Sequence, residues 1–167
     1  MQPKIIQYSS QYKKDLLEIS LEWLNKYNIL EDIDIQMLTH PDEIIQNGGY
    51  ILLSIDEDLR ATGMVMLENN DDSFEILKLG VRKEAQGQGI ATCLMNAAIE
   101  IAKLSKKSKL TLCSNHQLVA ALHIYEKLGF QYITYTQNHF ALSMTKINMK
   151  IAVANCNSYF LLSFQFV

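Results

Sequence analysis

Between residues 12 and 27, Leu17, Leu21 and Leu24 recur at helical spacing beside Leu16, Trp23 and Tyr27, which predicts an amphipathic helix. Residues 5–8 read as a short strand ahead of it, and the polar, acidic stretch 28–34 follows it. A proline in the first turn, with Asp42 and Glu43 behind it, suits a second helix starting near Pro41 and ending before Gly48-Gly49. The pattern then turns to strands. Residues 50–55, 61–67 and 74–81 form a predicted meander, joined by polar turns at 56–59 and 68–72.

Beyond Val81, helix and strand alternate. Leu94, Ala97, Ala98, Ile101 and Leu104 share one face of a helix over 90–104, and 109–113 is a short apolar strand. Leu118, Ala121, Leu122, Tyr125 and Leu128 share the face of another helix, closed by Gly129 in the position of a left-handed cap. Strands are expected over 132–135 and 139–144. This order describes a mixed α/β domain with helices on both faces of a sheet.

Composition narrows the class. A chain of 167 residues with 49% apolar content suits one domain with a full core. Cys93, Cys113 and Cys156 form no C-x-x-C pair, so they resemble neither a disulfide framework nor a zinc site, and a reducing cytoplasm fits them. Cys113, inside an apolar strand, reads as buried and inert. His40, His116, His123 and His139 show no metal-ligand spacing, and no metal is expected. The first residues lack the apolar core of a signal peptide, and no run of about 18 apolar residues occurs, so a soluble, cytoplasmic protein without a membrane or nucleic-acid partner is expected.

The net charge of −3 conceals a division. Residues 1–75 hold fifteen acids against five bases, and residues 76–167 hold three acids against ten bases. Such a split suggests that the two halves face ligands of opposite sign, although solvated faces also produce it.

The stretch Val81-Arg-Lys-Glu-Ala-Gln-Gly-Gln-Gly-Ile-Ala91 joins a strand to a helix and carries two of the seven glycines. Bare backbone ahead of a helix presents free N–H groups and the positive end of the helix dipole to an anion. A Walker A loop needs Gly-Lys-Ser/Thr, which is absent. A Rossmann turn needs a third glycine or alanine where Thr92 stands, and an acid where the next strand ends in Leu112-Cys113-Ser114. Gln86-Gly-Gln-Gly-Ile-Ala91 instead resembles the Q/R-x-x-G-x-G/A motif of the GNAT family of N-acetyltransferases. A second segment, Ala120-Ala-Leu-His-Ile-Tyr-Glu-Lys-Leu-Gly-Phe130, is similar to the family's helix ending in Y-E-K-L-G-F. The order of elements to about Ile147 also matches.

The resemblance implies a GNAT fold: a mixed, mostly antiparallel central sheet with helices on both faces and a splay between the fourth and fifth strands. It implies acetyl-CoA as cosubstrate, with its pyrophosphate on the backbone of Gln86, Gly87, Gln88, Gly89, Ile90 and Ala91, and with Thr92 adding a hydroxyl. Leu79 to Val81 would pair with the pantetheine arm, and Val81 N–H would polarise the thioester carbonyl. Tyr125 matches the family's general acid. Glu75, eleven residues before Gln86, matches a glutamate that acts as base in some members. Many members place an asparagine seven residues before the tyrosine; here that position is Leu118, and Asn115 is the candidate substitute. The basic cluster Lys103, Lys106, Lys107 and Lys109 faces either the nucleotide or solvent.

The expected activity is direct acetyl transfer to a primary amine in a ternary complex. Twelve acids against one base, Arg60, between Asn28 and Glu75 suggest a cationic small-molecule acceptor, because in the family the loop between the first two helices walls the acceptor side. The alternatives are a non-catalytic acyl-CoA-binding or sensing module, and an interaction subunit. Domain limits are set at 1–147, with 148–167 an apolar extension that leaves a homodimer open as partner.

Overall fold

The computed structural model of the chain describes residues 3–133 and 146–153. Strands β1 (Lys4–Gln7), β2 (Tyr50–Ile55), β3 (Ala61–Asn69) and β4 (Ser73–Val81) form an antiparallel meander at one end of the sheet. With β5 (Lys109–Asn115), β6 (Gln131–Tyr132) and β7 (Lys146–Ala152), the seven strands lie in the order β1-β2-β3-β4-β5-β7-β6. The central strands are apolar on both sides because both sides are covered. Ile51, Leu53, Ile55, Met64 and Met66 pack with Leu16, Ile19, Leu24 and Leu38 of α1 (Lys13–Lys26) and α2 (Asp32–Thr39), and Ile44 of α3 (Pro41–Gln46) lies against them. Leu52, Val65, Leu67, Phe74 and Ile76 pack with α4 (Ile90–Leu104) and α5 (Val119–Lys127) on the other side.

The expected antiparallel-rich α/β architecture is present. All ladders are antiparallel except β4 with β5, whose connection runs through α4, as a parallel pair requires. That ladder is short: Ser73 pairs with Lys109 and the last pair is Ile76 with Leu112. One residue beyond it, Met66 of β3 faces Lys78 while Leu67 faces Ile76, so Leu77 is an extra residue in β4. Such a bulge bends and twists its strand. β4 keeps β3 as a neighbour out to Val81 but has no β5 partner after Ile76. The splay between the fourth and fifth strands starts here.

Two ion networks fix the rim of the splay. Arg82, just past β4 and 6% exposed, donates from Nε to the Ala61 carbonyl at 2.8 Å and from Nη2 to Asp15 at 2.7 Å and Glu18 at 3.0 Å. It fastens α1 to the end of β4, and its guanidinium holds the Glu18 carboxyl below its ordinary pKa. Lys78 pairs with Asp34 of α2 at 2.6 Å, both side chains nearly buried, and the second Asp34 oxygen accepts the Glu31 N–H at 2.8 Å.

The acidic stretch after the first helix contains the start of α2, whose helical pattern is faint because Ile33 and Ile35 remain exposed and only Asp34 and Leu38 are buried. The strand expected over 139–144 lies outside the described residues, and the strand that borders β5 is β7. β7 runs through the expected boundary at 147, so residues 148–152 belong to the sheet; 154–167 lie outside the described residues.

A chain ending at Ile147 would lose Met149, Ile151 and Val153, all buried in the core beneath α4 and α5. Removing large buried side chains costs roughly 2–5 kcal/mol each, against a total stability of about 5–15 kcal/mol. Thermal denaturation followed by circular dichroism should show no cooperative transition for this truncation. A wild-type Tm would show that β7 beyond Ile147 contributes nothing.

Candidate active site

The splay opens into a cleft of about 820 Å³. β4 contributes Leu79, Gly80 and Val81, and the strand-to-helix turn contributes Gln86, Gly87, Gly89, Ile90, Ala91 and Thr92. α5 lends Leu118, Ala121, Ile124 and Tyr125. The predicted loop and the predicted tyrosine, far apart in sequence, therefore meet in one space.

The turn is built for an anion. Gly87 and Gly89 hold φ of 79° and 78°, left-handed values that favour glycine. A Cβ built on either would meet nothing within 4 Å, so the backbone is bare toward open space. Gly89 is the N-cap of α4, no side chain among the described residues caps that end, and its first turn holds no acid. The N–H groups there and the positive end of the helix dipole are left for a ligand. Gln86 secures the turn, its carboxamide donating to the Val81 carbonyl at 3.1 Å. A pyrophosphate fits this turn, and the apolar run Leu79 to Val81 beside it suits a pantetheine arm.

Tyr125 is 6% exposed, with its ring 5.8 Å from that of Phe130. Burial pushes its phenol far above its ordinary pKa, so it keeps its proton across any physiological pH. Glu75 is not in the cleft. It lines a second cavity on the face of β4 and β5 that it shares with Thr111, together with Lys109 and Lys150, where burial and, secondarily, the Glu68 charge raise its carboxyl above its ordinary pKa.

Several expected contacts are absent. Gln88 does not line the cleft, and Asn115 turns its Oδ1 to the Gln117 N–H at 2.9 Å, shaping the entry to α5. Ser114 and Cys113 line the cleft from β5 in place of Asn115. Cys113 is exposed, contrary to the buried reading, because β5 has left β4 at that point. The basic cluster does not reach the cleft. Lys103 pairs with Glu100 at 3.0 Å, Lys107 donates to the Asn70 and Asp71 carbonyls, and Lys109 stands 3.9 Å from Asp72.

The charge expectation also changes. Among the described residues, the only acid lining the cleft is Glu22, which comes from α1 with Trp23, Lys26 and Tyr27; Lys78 and Lys83 are its other charged residues. The acids between residues 28 and 75 do not wall it. The sequence pattern does not mark α1 as a contributor, because Trp23 reads there as part of the helix's apolar face. Two buried polar atoms among the lining residues, Trp23 Nε1 and Ser114 Oγ, have no hydrogen-bond partner among the described residues.

The model of the acetyltransferase (GNAT) family matches residues 14–130, a span that includes α1, the splay, the turn and α5. N-acetylaspartate synthetase of Xenopus tropicalis is 30% identical over 88 residues, 52% of this chain and 32% of that protein, so the chain spans about a third of the relative's length. An acetyltransferase of the GNAT family from Staphylococcus aureus Mu50 superposes with a TM-score of 0.80 at 20% identity, covering 91% of this chain and 99% of the other. PaiA N-acetyltransferase from Thermoplasma acidophilum, solved in complex with coenzyme A, superposes at 0.74 with 19% identity over 91% and 99% of the two chains.

Gly89→Val forces a β-branched residue into a left-handed conformation and fills the space before the turn. The strain should lower the stability of the unliganded protein by about 1–2 kcal/mol. In wild type, acetyl-CoA at about 100 times its dissociation constant should add about 2.7 kcal/mol, and the variant should lose that gain. Retention of the full thermal shift would remove the turn from the site.

Proposed function

The chain belongs to the GNAT acetyltransferase family, and from that premise we propose that it transfers an acetyl group from acetyl-CoA to a primary amine by direct attack in a ternary complex. The observation that carries this reading is the meeting of the bare turn at the start of α4 with Tyr125 in the cleft between β4 and β5. The name of the relatives called N-acetylaspartate synthetase describes an N-acetylation, which supports this reading.

Acetyl-CoA supplies a thioester carbonyl and a thiolate leaving group. The amine nitrogen bonds to the acetyl carbon, the carbon–sulfur bond breaks, one proton leaves the amine and one joins the sulfur. The protein's residues have three tasks. Val81 N–H, on the strand segment without a β5 partner, polarises the carbonyl. Tyr125, kept protonated by burial, gives the departing thiolate its proton. Glu75 takes the amine's proton from the second cavity, and its raised pKa brings a carboxylate closer to the basicity that this task needs.

A coupled assay of thiol release across amine classes tests the activity. No transfer to any amine by protein that binds acetyl-CoA would refute it. Tyr125→Phe should lower kcat by about 10²–10⁴, the usual contribution of a positioned acid, with little change in acetyl-CoA affinity.

Glu75 also makes a pH signature. As a base it works deprotonated, so kcat/KM should rise with pH through its raised pKa, and Glu75→Gln should depress activity and abolish that limb. In the stability curve the sign is opposite. The folded protein holds the Glu75 proton to higher pH than the unfolded chain does, so stability falls as pH rises from the unfolded carboxyl value through the folded one. Glu75→Gln should flatten that fall in urea titrations, and an unchanged slope would show that the shift is absent.

A further inference from the structure

The second cavity, about 390 Å³, follows from register. Glu75 pairs with Thr111, and Thr111 with Lys150, so all three side chains share one face of β4, β5 and β7; Lys109 and Asn148, two residues along their strands, join them. The intervening Ile76, Leu110, Leu112, Met149 and Ile151 point the other way, into the core beneath α4 and α5. The helices α1 to α3 do not cover this polar face, because the core they form contains no residue of β5 or β7.

The cavity adjoins the cleft at the splay. Leu77 and Cys113 line the cleft, and each stands two residues beyond a cavity residue, Glu75 and Thr111, on the same strand. Two residues of strand span about 7 Å. A ligand in the cavity can therefore place an amine beside both Glu75 and the point where the strands part.

The cavity's charged lining is Glu75, Lys109 and Lys150. Among the described residues, the ion-pair partner of Lys109 is the distant Asp72, 3.9 Å away with both side chains substantially exposed, a pairing worth little. Lys150 is exposed, and no ion pair ties it to another described residue. Two ammonium groups repel a polycation and attract an anion, while Glu75 accepts an ammonium. Resting on the acetyl-transfer reading, we infer that this cavity is the acceptor site and that the acceptor is a primary amine bearing a carboxylate or phosphate, its anionic group held by Lys109 and Lys150. This replaces the cationic acceptor suggested by the acid-rich half of the sequence, of whose described acids only Glu75 lines the cavity.

Steady-state transfer to aspartate, phosphoethanolamine, ethanolamine and spermidine tests the inference, the first two separating carboxylate from phosphate. One of the anionic amines should have the highest kcat/KM. Lys109→Met and Lys150→Met should each raise its KM about tenfold, the loss expected of one charge-assisted hydrogen bond, with an unchanged acetyl-CoA thermal shift as proof of folding. Lys150→Glu should move the preference toward spermidine. A wild-type preference for ethanolamine or spermidine, or an unchanged KM in both Met variants, overturns the inference. Absence of transfer to every amine refutes the transferase reading instead. In that case, titration calorimetry of aspartate and phosphoethanolamine against the wild type and the Met variants decides the cavity alone: binding lost in the variants supports it, and no binding to wild type overturns it.

Discussion

Everything at the site depends on β4 serving as a two-sided strand for four residues and a one-sided strand for the rest. Backbone polar groups removed from water need partners, so a central strand that abandons its neighbour is tolerated only where something else occupies the gap. The ladder to β5 ends at Ile76, and the bulge at Leu77 turns the strand at that point. β3 continues to hold the opposite side, so β4 departs from β5 without fraying. The open side of Leu79 to Val81 is thereby presented to the cleft at a fixed angle, next to the turn that starts α4. An extended ligand arm can take the place of the missing strand.

Keeping such a gap open requires that its rim resist collapse, and the buried charges do this. Arg82 joins the end of β4 to Asp15 and Glu18 of α1. Lys78 joins the middle of β4 to Asp34 of α2, and the same carboxylate organises the first turn of that helix. Buried pairs gain little net stability over apolar packing, but removing one partner strands the other, so they define a geometry more than they add to ΔG. They also join three of the fifteen acids of residues 1–75 to two of the ten bases of residues 76–167. Acids of the first half meet bases of the second across the domain, and adjacency along the chain says little about which charges a ligand meets.

The sequence made the turn at Gln86 to Ala91, the order of elements and Tyr125 legible, because each depends on local chemistry: glycine for left-handed backbone, helical period for a buried face. What stayed hidden depends on long-range placement. α2 was lost because a helix clamped by one buried ion pair needs little apolar periodicity. The exposure of Cys113 and the diversion of Asn115 into a turn follow from where β5 leaves β4, which no pattern within residues 109–115 records. The strand that carries Glu75 is legible, but which cavity Glu75 enters is decided by its pairing to Thr111 and by the pairing of Thr111 to Lys150, a register that spans nearly half the chain.

Two further glycines show how the layers above and below the sheet are brought to the splay. A Cβ on Gly63 would stand 2.8 Å from Ile90 Cγ2 and 3.1 Å from Leu94 Cδ1, so its absence lets the first turns of α4 settle directly on β3. On the neighbouring strand, a Cβ on Gly80 would stand 2.8 Å from Trp23 Nε1 and 3.0 Å from Ile19 Cγ2, so its absence lets α1 approach β4 from the opposite side. Gly63 pairs with Val81 and Met64 with Gly80, which places both close approaches within one register step of the end of β4. The helix that offers its N-terminus to an anion and the helix that supplies Trp23 to the cleft are therefore drawn in at the same level. A larger residue at either position would displace one layer, and the spacing of the site would change with it.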